Sequence, residues 1–265
     1  MHGTSIVEQT DESRQQDELR ERLREMWAAV APGWGEHADY VDERSAQLTE
    51  RMLERVAIAP GERVLELACG AGGAGLAAAP LVGRTGEVVL SDVAAEMTAI
   101  AAARARALGL HNVATSVLDL QEIDEPDGSY DVVIRREGLM LAPDPAPGLM
   151  FDAISAQLGC PVPPTGIPGP FSLEDADRLA GLLTAADLSD VSVLDVDFPL
   201  HERSFEQWWT TRCDLAGPLT KILASVPDEV RAAIRARARD ATQPYTTPVG
   251  LEFPGVALLA SARRG

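Results

Sequence analysis

The chain has 265 residues, of which 46% are hydrophobic and 24% charged, a composition typical of globular proteins. Its formal net charge of −18 would repel the phosphate backbone of nucleic acids and the anionic surface of a membrane, so we expect neither as a partner. The N-terminus lacks the apolar core of a secretory signal, and Cys69, Cys160 and Cys213 are scattered without metal-binding spacing. These features predict a cytoplasmic protein without a metal site.

The N-terminal part of the chain is predicted to be helical. Residues 1–13 are polar, and we expect them to form a disordered tail. Residues 14–58 are expected to form a helical lid, because apolar residues recur at helical spacing over 17–30 and again over Val41–Val56. A break between the two helices is expected at 31–40.

Residues 59–265 are predicted to form one α/β domain, with a helical insertion at about 201–245. Strands alternate with helices in this part, which is the pattern of a parallel sheet. The predicted strands are 63–68, 87–92, 112–119, 129–136, 191–200 and 255–264. The predicted helices are 73–82, 94–109, 149–159, 172–188 (with Ser172 as N-cap), 204–226 and 227–241. The apolar run of the fourth strand predicts burial on both faces, and the prolines of 160–170 predict a loop.

A glycine-rich turn joins the first predicted strand to the helix that follows. Gly70, Gly72 and Gly75 form the pattern G-x-G-x-x-G in the stretch VLELACGAGGAG. Such glycines let the backbone approach a ligand, and the helix N-terminus presents free N–H groups to it. The pattern alone is a weak signal, compatible with a nicotinamide dinucleotide, another nucleotide or a tight turn that binds nothing.

Three acidic residues stand at the carboxyl ends of the first three predicted strands: Glu66, Asp92 and Asp119. This edge of a parallel sheet is where α/β proteins bind ligands. An acid after the second strand suits both a nicotinamide dinucleotide and S-adenosylmethionine. A pyrophosphate disfavours an acid such as Glu66 inside the turn, whereas a ligand with an ammonium and a sulfonium group favours it. Asp119 would accept a hydrogen bond from an adenine amino group.

The stretches VLELACGAGG, GEVVLSDVAAEM, NVATSVLDLQEID and DGSYDVVIRREGLMLAPDP, preceded by WGEHADY, resemble class I S-adenosylmethionine-dependent methyltransferases. The resemblance is to the ubiquinone/menaquinone-biosynthesis type and its small-molecule relatives, and it covers roughly residues 27–147. Residues 166–193, with SFEQWW and GVALLASARR, look like the end of the same family. It implies a Rossmann-like sheet with helices on both faces, an N-terminal helical lid, S-adenosyl-L-methionine as cofactor, and methylation of a small molecule at oxygen, carbon or nitrogen.

The resemblance also implies a set of cofactor-binding residues. Glu66 and nearby backbone would hold the methionine part, Asp92 the ribose hydroxyls, and Asp119 the adenine edge. Met97 would pack beside the adenine, although core packing is the more common role of such a residue, and the role of Arg136 stays open. The full set is Glu66, Ala68, Gly70, Gly72, Asp92, Met97, Asp119, Leu120 and Arg136.

Candidate catalytic residues come from the lid and from the C-terminal half. His37 and Tyr40 lie in WGEHADY, where the family places a lid, and His201 follows the fifth predicted strand. A carbon or oxygen acceptor can require a base, and histidine is the usual one. His37 could equally be a structural residue of the lid. The aromatic residues at 205, 208 and 209 indicate either core packing or a wall for an apolar or aromatic substrate.

The sequence departs from the family after the fourth strand. The family has a helix, a Pro-Gly-Gly turn and a fifth strand there, with sheet order 3-2-1-4-5-7-6 and an antiparallel strand seven. The usual fifth strand has no counterpart near 147–148. The fourth strand could join the last strand directly, the sequence could lack a segment, or the chain could be a repurposed relative. A non-catalytic S-adenosylmethionine-binding protein and an NAD-dependent oxidoreductase therefore stay open as alternatives.

Overall fold

A computed structural model describes residues 4–120, 122–136, 145–159 and 173–264. Three helices precede the first strand: α1 (Thr4–Glu36), α2 (Ala38–Arg44) and α3 (Ala46–Val56). α1 begins inside the stretch 1–13 and continues through Pro32 to Glu36, so the break predicted at 31–40 is confined to the turn at His37. Val30 and Ala31 are buried against α5 (Ala95–Ala107), and this packing holds the segment helical despite its proline. No helix among the described residues has the length and apolar character needed to cross a membrane.

A parallel sheet of four strands forms the centre of the α/β part. Its order is β3-β2-β1-β4, with β1 at Arg63–Glu66, β2 at Glu87–Asp92, β3 at Val113–Val117 and β4 at Val132–Ile134. α4 (Gly73–Val82) follows β1, and α5 follows β2. The predicted parallel α/β architecture and the first half of the expected strand order are confirmed, and the carboxyl ends of β1, β2 and β3 share one edge.

β4 ends this sheet in the part of the chain that the structure describes. It pairs with β1, and the side chain at its centre, Val133, is 55% exposed. The prediction that the fourth strand is buried on both faces was therefore wrong. An apolar run does not distinguish an edge strand from a central one, because covering elements from elsewhere in the chain decide its burial.

The last strands form a separate antiparallel pair, β5 (Leu188–Asp197) with β9 (Val256–Arg264). The antiparallel final strand is confirmed. Across the described residues β9 does not pair with β4, so the idea that the fourth strand joins the last strand directly was wrong. β9 instead approaches the lid side of the domain, where Arg55 Nε donates to Ser261 Oγ at 3.0 Å.

The remaining elements are α6 (Pro145–Leu158), α7 (Ala176–Ala185), β6 (Leu200–Glu202), α8 (Phe205–Leu215), α9 (Gly217–Ser225), α10 (Asp228–Thr242), β7 (Thr246–Thr247) and β8 (Gly250–Phe253). The C-terminal insertion contains helices and a small antiparallel sheet of order β6-β8-β7 that the sequence did not predict. The predicted helix 204–226 is divided at Ala216, because Pro218 has no N–H to continue it. The N-cap of α7 is Asp175, which accepts from the Arg178 N–H, and Ser172 lies outside the described residues, as does the predicted loop 160–170.

The aromatic residues of α8 belong to the core of this insertion. Trp208 is fully buried, and its ring centroid lies 5.6 Å from that of Phe205 and 5.9 Å from that of Phe253. Trp209 is 9% exposed and stacks on Phe205. The structure supports core packing for these aromatic residues, because rings buried in this way do not line a substrate pocket.

Candidate functional site

The glycine turn between β1 and α4 has an unusual backbone. Gly70 and Gly72 have φ values of +53° and +85°, and Ala68 has a φ of +50°, where a side chain is disfavoured. The turn is fixed to the neighbouring strand, because the Cys69 N–H donates to the Ser91 carbonyl at 2.8 Å. The left-handed residues thus place the start of α4 against the carboxyl ends of β1 and β2.

Glu66 is the last residue of β1 and lies beneath this turn. Its side chain is buried, and its Oε2 accepts from the Gly75 N–H at 2.7 Å. A Cβ on Gly75 would lie 2.5 Å from the same oxygen. The third glycine of the pattern therefore has a packing role, which is to let a buried carboxylate reach the backbone of α4.

Asp92, the last residue of β2, binds the opposite side of the turn. Its Oδ2 accepts from the Gly70 N–H at 2.9 Å, and its Oδ1 accepts from the Ala94 N–H at 3.0 Å. Two of the three acids predicted from the sequence thus converge on the glycine turn, and both are buried.

Burial disfavours the negative charge of both carboxylates. Burial raises the pKa of Glu66 to about 7, although the Arg136 charge and the Gly75 N–H act to lower it, while nearby Asp42 and Asp92 act to raise it. Burial also raises the pKa of Asp92, against the N–H groups of the turn. A ligand that brings positive charge or hydrogen-bond donors to this turn would stabilise both carboxylates.

We expect Glu66 to make the protein less stable as the pH rises from about 4.5 to about 7. In this window the unfolded chain has lost the Glu66 proton while the folded chain keeps it, so the free energy of unfolding falls and then becomes level. The pKa difference corresponds to about 3 kcal/mol. Glu66→Gln should remove most of this fall in urea unfolding at pH 5 and pH 8, whereas exposed Glu50→Gln should keep it. An unchanged pH dependence in Glu66→Gln would contradict the assignment.

The lid is attached to the turn by an ionic network that the sequence did not reveal. Asp42 of α2 accepts from Arg136 at 3.0 Å and from Arg104 at 2.6 Å, and Arg104 also donates to the Ala71 carbonyl at 2.8 Å. Arg136 further donates to Thr49 Oγ1 at 2.8 Å. Arg136, whose role the sequence left open, therefore connects the residues after β4 to the lid helices.

Trp34 of α1 covers the glycine turn. A Cβ on Gly70 would lie 3.4 Å from the Trp34 ring, and the indole Nε1 donates to the Leu215 carbonyl at 3.0 Å. Trp34 stands in the stretch WGEHADY, so its position in the lid motif was the available signal. The lid thus contacts both the turn and the C-terminal insertion.

Asp119, the third predicted acid, lies at the same edge of the sheet as Glu66 and Asp92 and lines a cleft. This cleft of about 310 Å³ lies between α1 and the ends of β2 and β3, and its lining includes Asp119, Val93 and Val117. Arg20 Nε lies 3.8 Å from Asp119 Oδ2. Leu120 is partly buried beside Asp119.

Met97 lies in the core between α5 and α1. It is 2% exposed and belongs to a cluster with Val30, Ala31 and Ala94. Trp27, Trp34 and Ile100 pack against this cluster. Met97 therefore has a core role, the more common one, and its place beside an adenine stays a prediction.

The three catalytic candidates do not meet at one point. His37 Nε2 lies 3.0 Å from Asp214 Oδ2 at the end of α8. Tyr40 donates from its hydroxyl to Glu202, and Tyr40 and His201 line a second cleft of about 380 Å³. Burial raises the pKa of Tyr40 well above its usual range, so this hydroxyl keeps its proton at neutral pH.

Comparison with known sequences places this site within a recognised domain type. A family described as a methyltransferase domain matches residues 58–157, which include the glycine turn and β1 to β4. An uncharacterized protein of Mycobacterium tuberculosis H37Rv is 33% identical over 133 residues, covering 50% of this chain and 45% of that protein. A ubiquinone/menaquinone biosynthesis C-methyltransferase of Cellvibrio japonicus is 29% identical over 125 residues, covering 46% and 50%. The chain thus spans about half the length of these curated relatives.

The fold is shared with solved structures over a longer range. The crystal structure of the YcgJ protein of Bacillus subtilis has a TM-score of 0.52 at 17% identity, covering 82% of this chain and 98% of that chain. At this identity the likeness concerns the fold alone. It extends the comparison beyond the matched domain into the C-terminal half.

Proposed function

We propose that the chain, whose residues 58–157 match a methyltransferase domain, is a class I S-adenosylmethionine-dependent methyltransferase that transfers a methyl group from S-adenosyl-L-methionine to a small-molecule acceptor. The observation that carries the proposal is the convergence of Glu66 and Asp92, both buried, on one glycine turn beneath the lid. Acceptor atom and acceptor identity are left open among oxygen, carbon and nitrogen.

The residues of the turn fit this cofactor by their chemistry. Buried carboxylates at Glu66 and Asp92 match a ligand with an ammonium group and ribose hydroxyls. At Gly72 a Cβ would lie 2.9 Å from Ala101, so the close packing of the turn against α5 requires glycine here. We propose that Glu66 and the backbone of Ala68, Gly70 and Gly72 hold the methionine part and that Asp92 holds the ribose. Asp119 and Leu120 are proposed for the adenine end.

The chief tasks of the protein are to bind the cofactor, to orient the acceptor and to exclude water. The cofactor supplies a methyl group on a sulfonium leaving group, so positioning of the acceptor accounts for much of the rate. Trp34 and the Asp42 network hold the lid against the glycine turn. We propose that this closure shields the bound cofactor from water.

We propose His37 as the base where the acceptor must lose a proton. Asp214 Oδ2, 3.0 Å from Nε2, can orient the imidazole ring. His37 follows Trp34 by one helical turn, so it lies near the covered glycine turn. Tyr40 and His201 are proposed to orient a ligand in the second cleft, since the proton of Tyr40 is held by Glu202.

Calorimetry with S-adenosylhomocysteine, with NADH as the control, tests the cofactor. We expect micromolar binding of S-adenosylhomocysteine and no binding of NADH, since buried carboxylates disfavour a pyrophosphate.

Turnover of S-adenosylmethionine on phenols, quinols and amines then tests methyl transfer. In that assay His37→Gln should lower turnover about 100-fold, the usual range for a lost general base, without changing S-adenosylhomocysteine affinity, whereas His111→Gln, at an exposed position before β3, should keep near-normal turnover. Binding of NADH alone would contradict the proposal and favour an oxidoreductase.

A non-catalytic protein that binds S-adenosylmethionine is the second candidate. The observation that favours it is the sheet itself, which in the described part of the chain ends at β4 with Val133 exposed. Acceptor sites in α/β folds lie near the carboxyl edge of such strands. Micromolar S-adenosylhomocysteine binding without turnover on any acceptor would favour this candidate.

A further inference from the structure

The carboxylate of Asp42, on the lid helix α2, lies directly against the N-terminus of α4. A Cβ on Gly73, the first residue of α4, would overlap Asp42 Oδ1 and would lie 2.7 Å from Arg136 Nη2. Glycine at this position is required neither by the G-x-G-x-x-G pattern, in which Gly73 is a variable position, nor by a left-handed backbone. The missing side chain instead leaves room beside the helix N-terminus, and the lid carboxylate occupies it.

The two oxygens of Asp42 are held in the way that a bound carboxylate would be held. Oδ1 accepts from Arg136 Nη2 at 3.0 Å, and Oδ2 accepts from Arg104 Nη2 at 2.6 Å. Only 11% of the Arg136 side chain and 20% of the Arg104 side chain are exposed. The first N–H groups of α4 have no partners within the helix, so its N-terminus adds a partial positive charge. We call the two guanidinium groups and this N-terminus the carboxylate site.

The surroundings of the carboxylate site match the amino-acid end of the proposed cofactor. The buried Glu66 lies at the same helix start, since its Oε2 accepts from the Gly75 N–H at 2.7 Å. The charges of Arg136 and Asp42 both act on the pKa of Glu66, so the three groups lie close together. A ligand with an ammonium group beside a carboxylate would present the first to Glu66 and the second to the arginines. Asp42 therefore lies where the carboxylate of such a ligand would bind.

We propose that Asp42 is an internal substitute for the carboxylate of the cofactor, and that the two carboxylates compete for the carboxylate site. This inference rests on the proposed function. Without a cofactor, Asp42 keeps both guanidinium groups paired. When the cofactor binds, its carboxylate replaces Asp42, while Arg136 keeps the bond to Thr49 Oγ1 that attaches the lid. Because only molecules with Asp42 displaced can bind, the exchange lowers the apparent affinity for the cofactor.

Calorimetry on Asp42→Asn with two ligands tests this exchange. S-adenosylhomocysteine carries both the ammonium group and the carboxylate, whereas its decarboxylated analogue keeps the ammonium group alone. An asparagine cannot neutralise the two arginines, so the site keeps an uncompensated charge that a ligand carboxylate relieves. We expect Asp42→Asn to bind S-adenosylhomocysteine at least about tenfold more tightly than the unmodified protein does, and the analogue within about threefold of it.

Two further variants make the measurement specific. Asp39→Asn is the matched control, because Asp39 lies on the same helix and 3.5 Å from Arg104 Nη2, but its side chain is fully exposed. It should leave both affinities unchanged. Arg136→Gln should weaken S-adenosylhomocysteine at least about tenfold and leave the analogue within about threefold, since it removes a partner of the carboxylate alone. Circular dichroism checks the folding of each variant.

The outcomes separate this inference from the cofactor assignment. Weaker or unchanged binding of S-adenosylhomocysteine by Asp42→Asn, or an equal gain for both ligands, would overturn the exchange and leave the cofactor assignment intact. If Asp42→Asn does not fold, equal losses for both ligands in Arg136→Gln would overturn the exchange. If neither ligand binds to the unmodified protein or to Asp42→Asn, the cofactor assignment fails, and this inference fails with it.

Discussion

Asp92→Asn should weaken S-adenosylhomocysteine binding by at least about 100-fold, or roughly 2.7 kcal/mol. Asp92 accepts the Gly70 N–H with one oxygen and the Ala94 N–H with the other. An asparagine amide would place its NH₂ group against one of these donors and would remove the charge that we propose for the ribose hydroxyls. Both the shape of the turn and the ribose contact would be lost.

Calorimetry on Asp92→Asn, with Asp131→Asn as the control, measures this loss of affinity. Asp131 also accepts a backbone N–H, from Arg63 at 2.8 Å, but it lies at the amino end of the sheet and is exposed. The control should therefore keep its affinity for S-adenosylhomocysteine. An affinity within threefold of the unmodified protein in Asp92→Asn would remove Asp92 from the site.

Gly75→Ala should lower the free energy of unfolding by about 3 kcal/mol, since overpacking of a dense core costs roughly 1–3 kcal/mol and a broken bond to a buried carboxylate adds to it. The new Cβ would lie 2.1 Å from Leu90 Cδ2 and 2.5 Å from Glu66 Oε2. Both side chains are buried, so neither has free space into which to move. Thermal unfolding should show a fall in Tm of roughly 2–4 °C per kcal/mol.

Gly181→Ala provides the matched control for this substitution. Gly181 lies inside α7, and a Cβ there would meet nothing within 4 Å. The same change should therefore stabilise the protein by up to about 1 kcal/mol, because alanine is the better helix former. A Tm of Gly75→Ala equal to that of the unmodified protein would show that the turn has more room than its distances indicate.

The sequence predicted those parts of the site that depend on the local chain. Glycines in a strand–turn–helix context, with acids at strand ends, predicted the turn and the positions of Glu66 and Asp92, because the pairing of parallel strands brings their carboxyl ends together. The parallel strands themselves followed from apolar runs of suitable length. The apolar spacing that located α1 did not set its end, since the buried contacts of Val30 and Ala31 extend the helix into the predicted break, as far as Glu36.

The sequence did not predict the contacts between residues that are distant along the chain. Asp42, Arg104 and Arg136 are far apart along the chain, and charged residues on helices usually face solvent. Tyr40 and Glu202 meet across 162 positions. The β6-β8-β7 sheet was missed because its strands have two to four residues, which is too short for a periodic pattern.

The sequence by itself therefore determined the order of the α/β elements, the glycine turn and two buried acids, since strand propensity, periodicity and turn chemistry act over a few residues. The tertiary structure alone decided that β4 lies at an edge and that the lid binds the turn through Asp42, whose carboxylate lies at the N-terminus of α4. Burial and ion pairing depend on which elements pack together, and packing joins residues that the chain keeps apart.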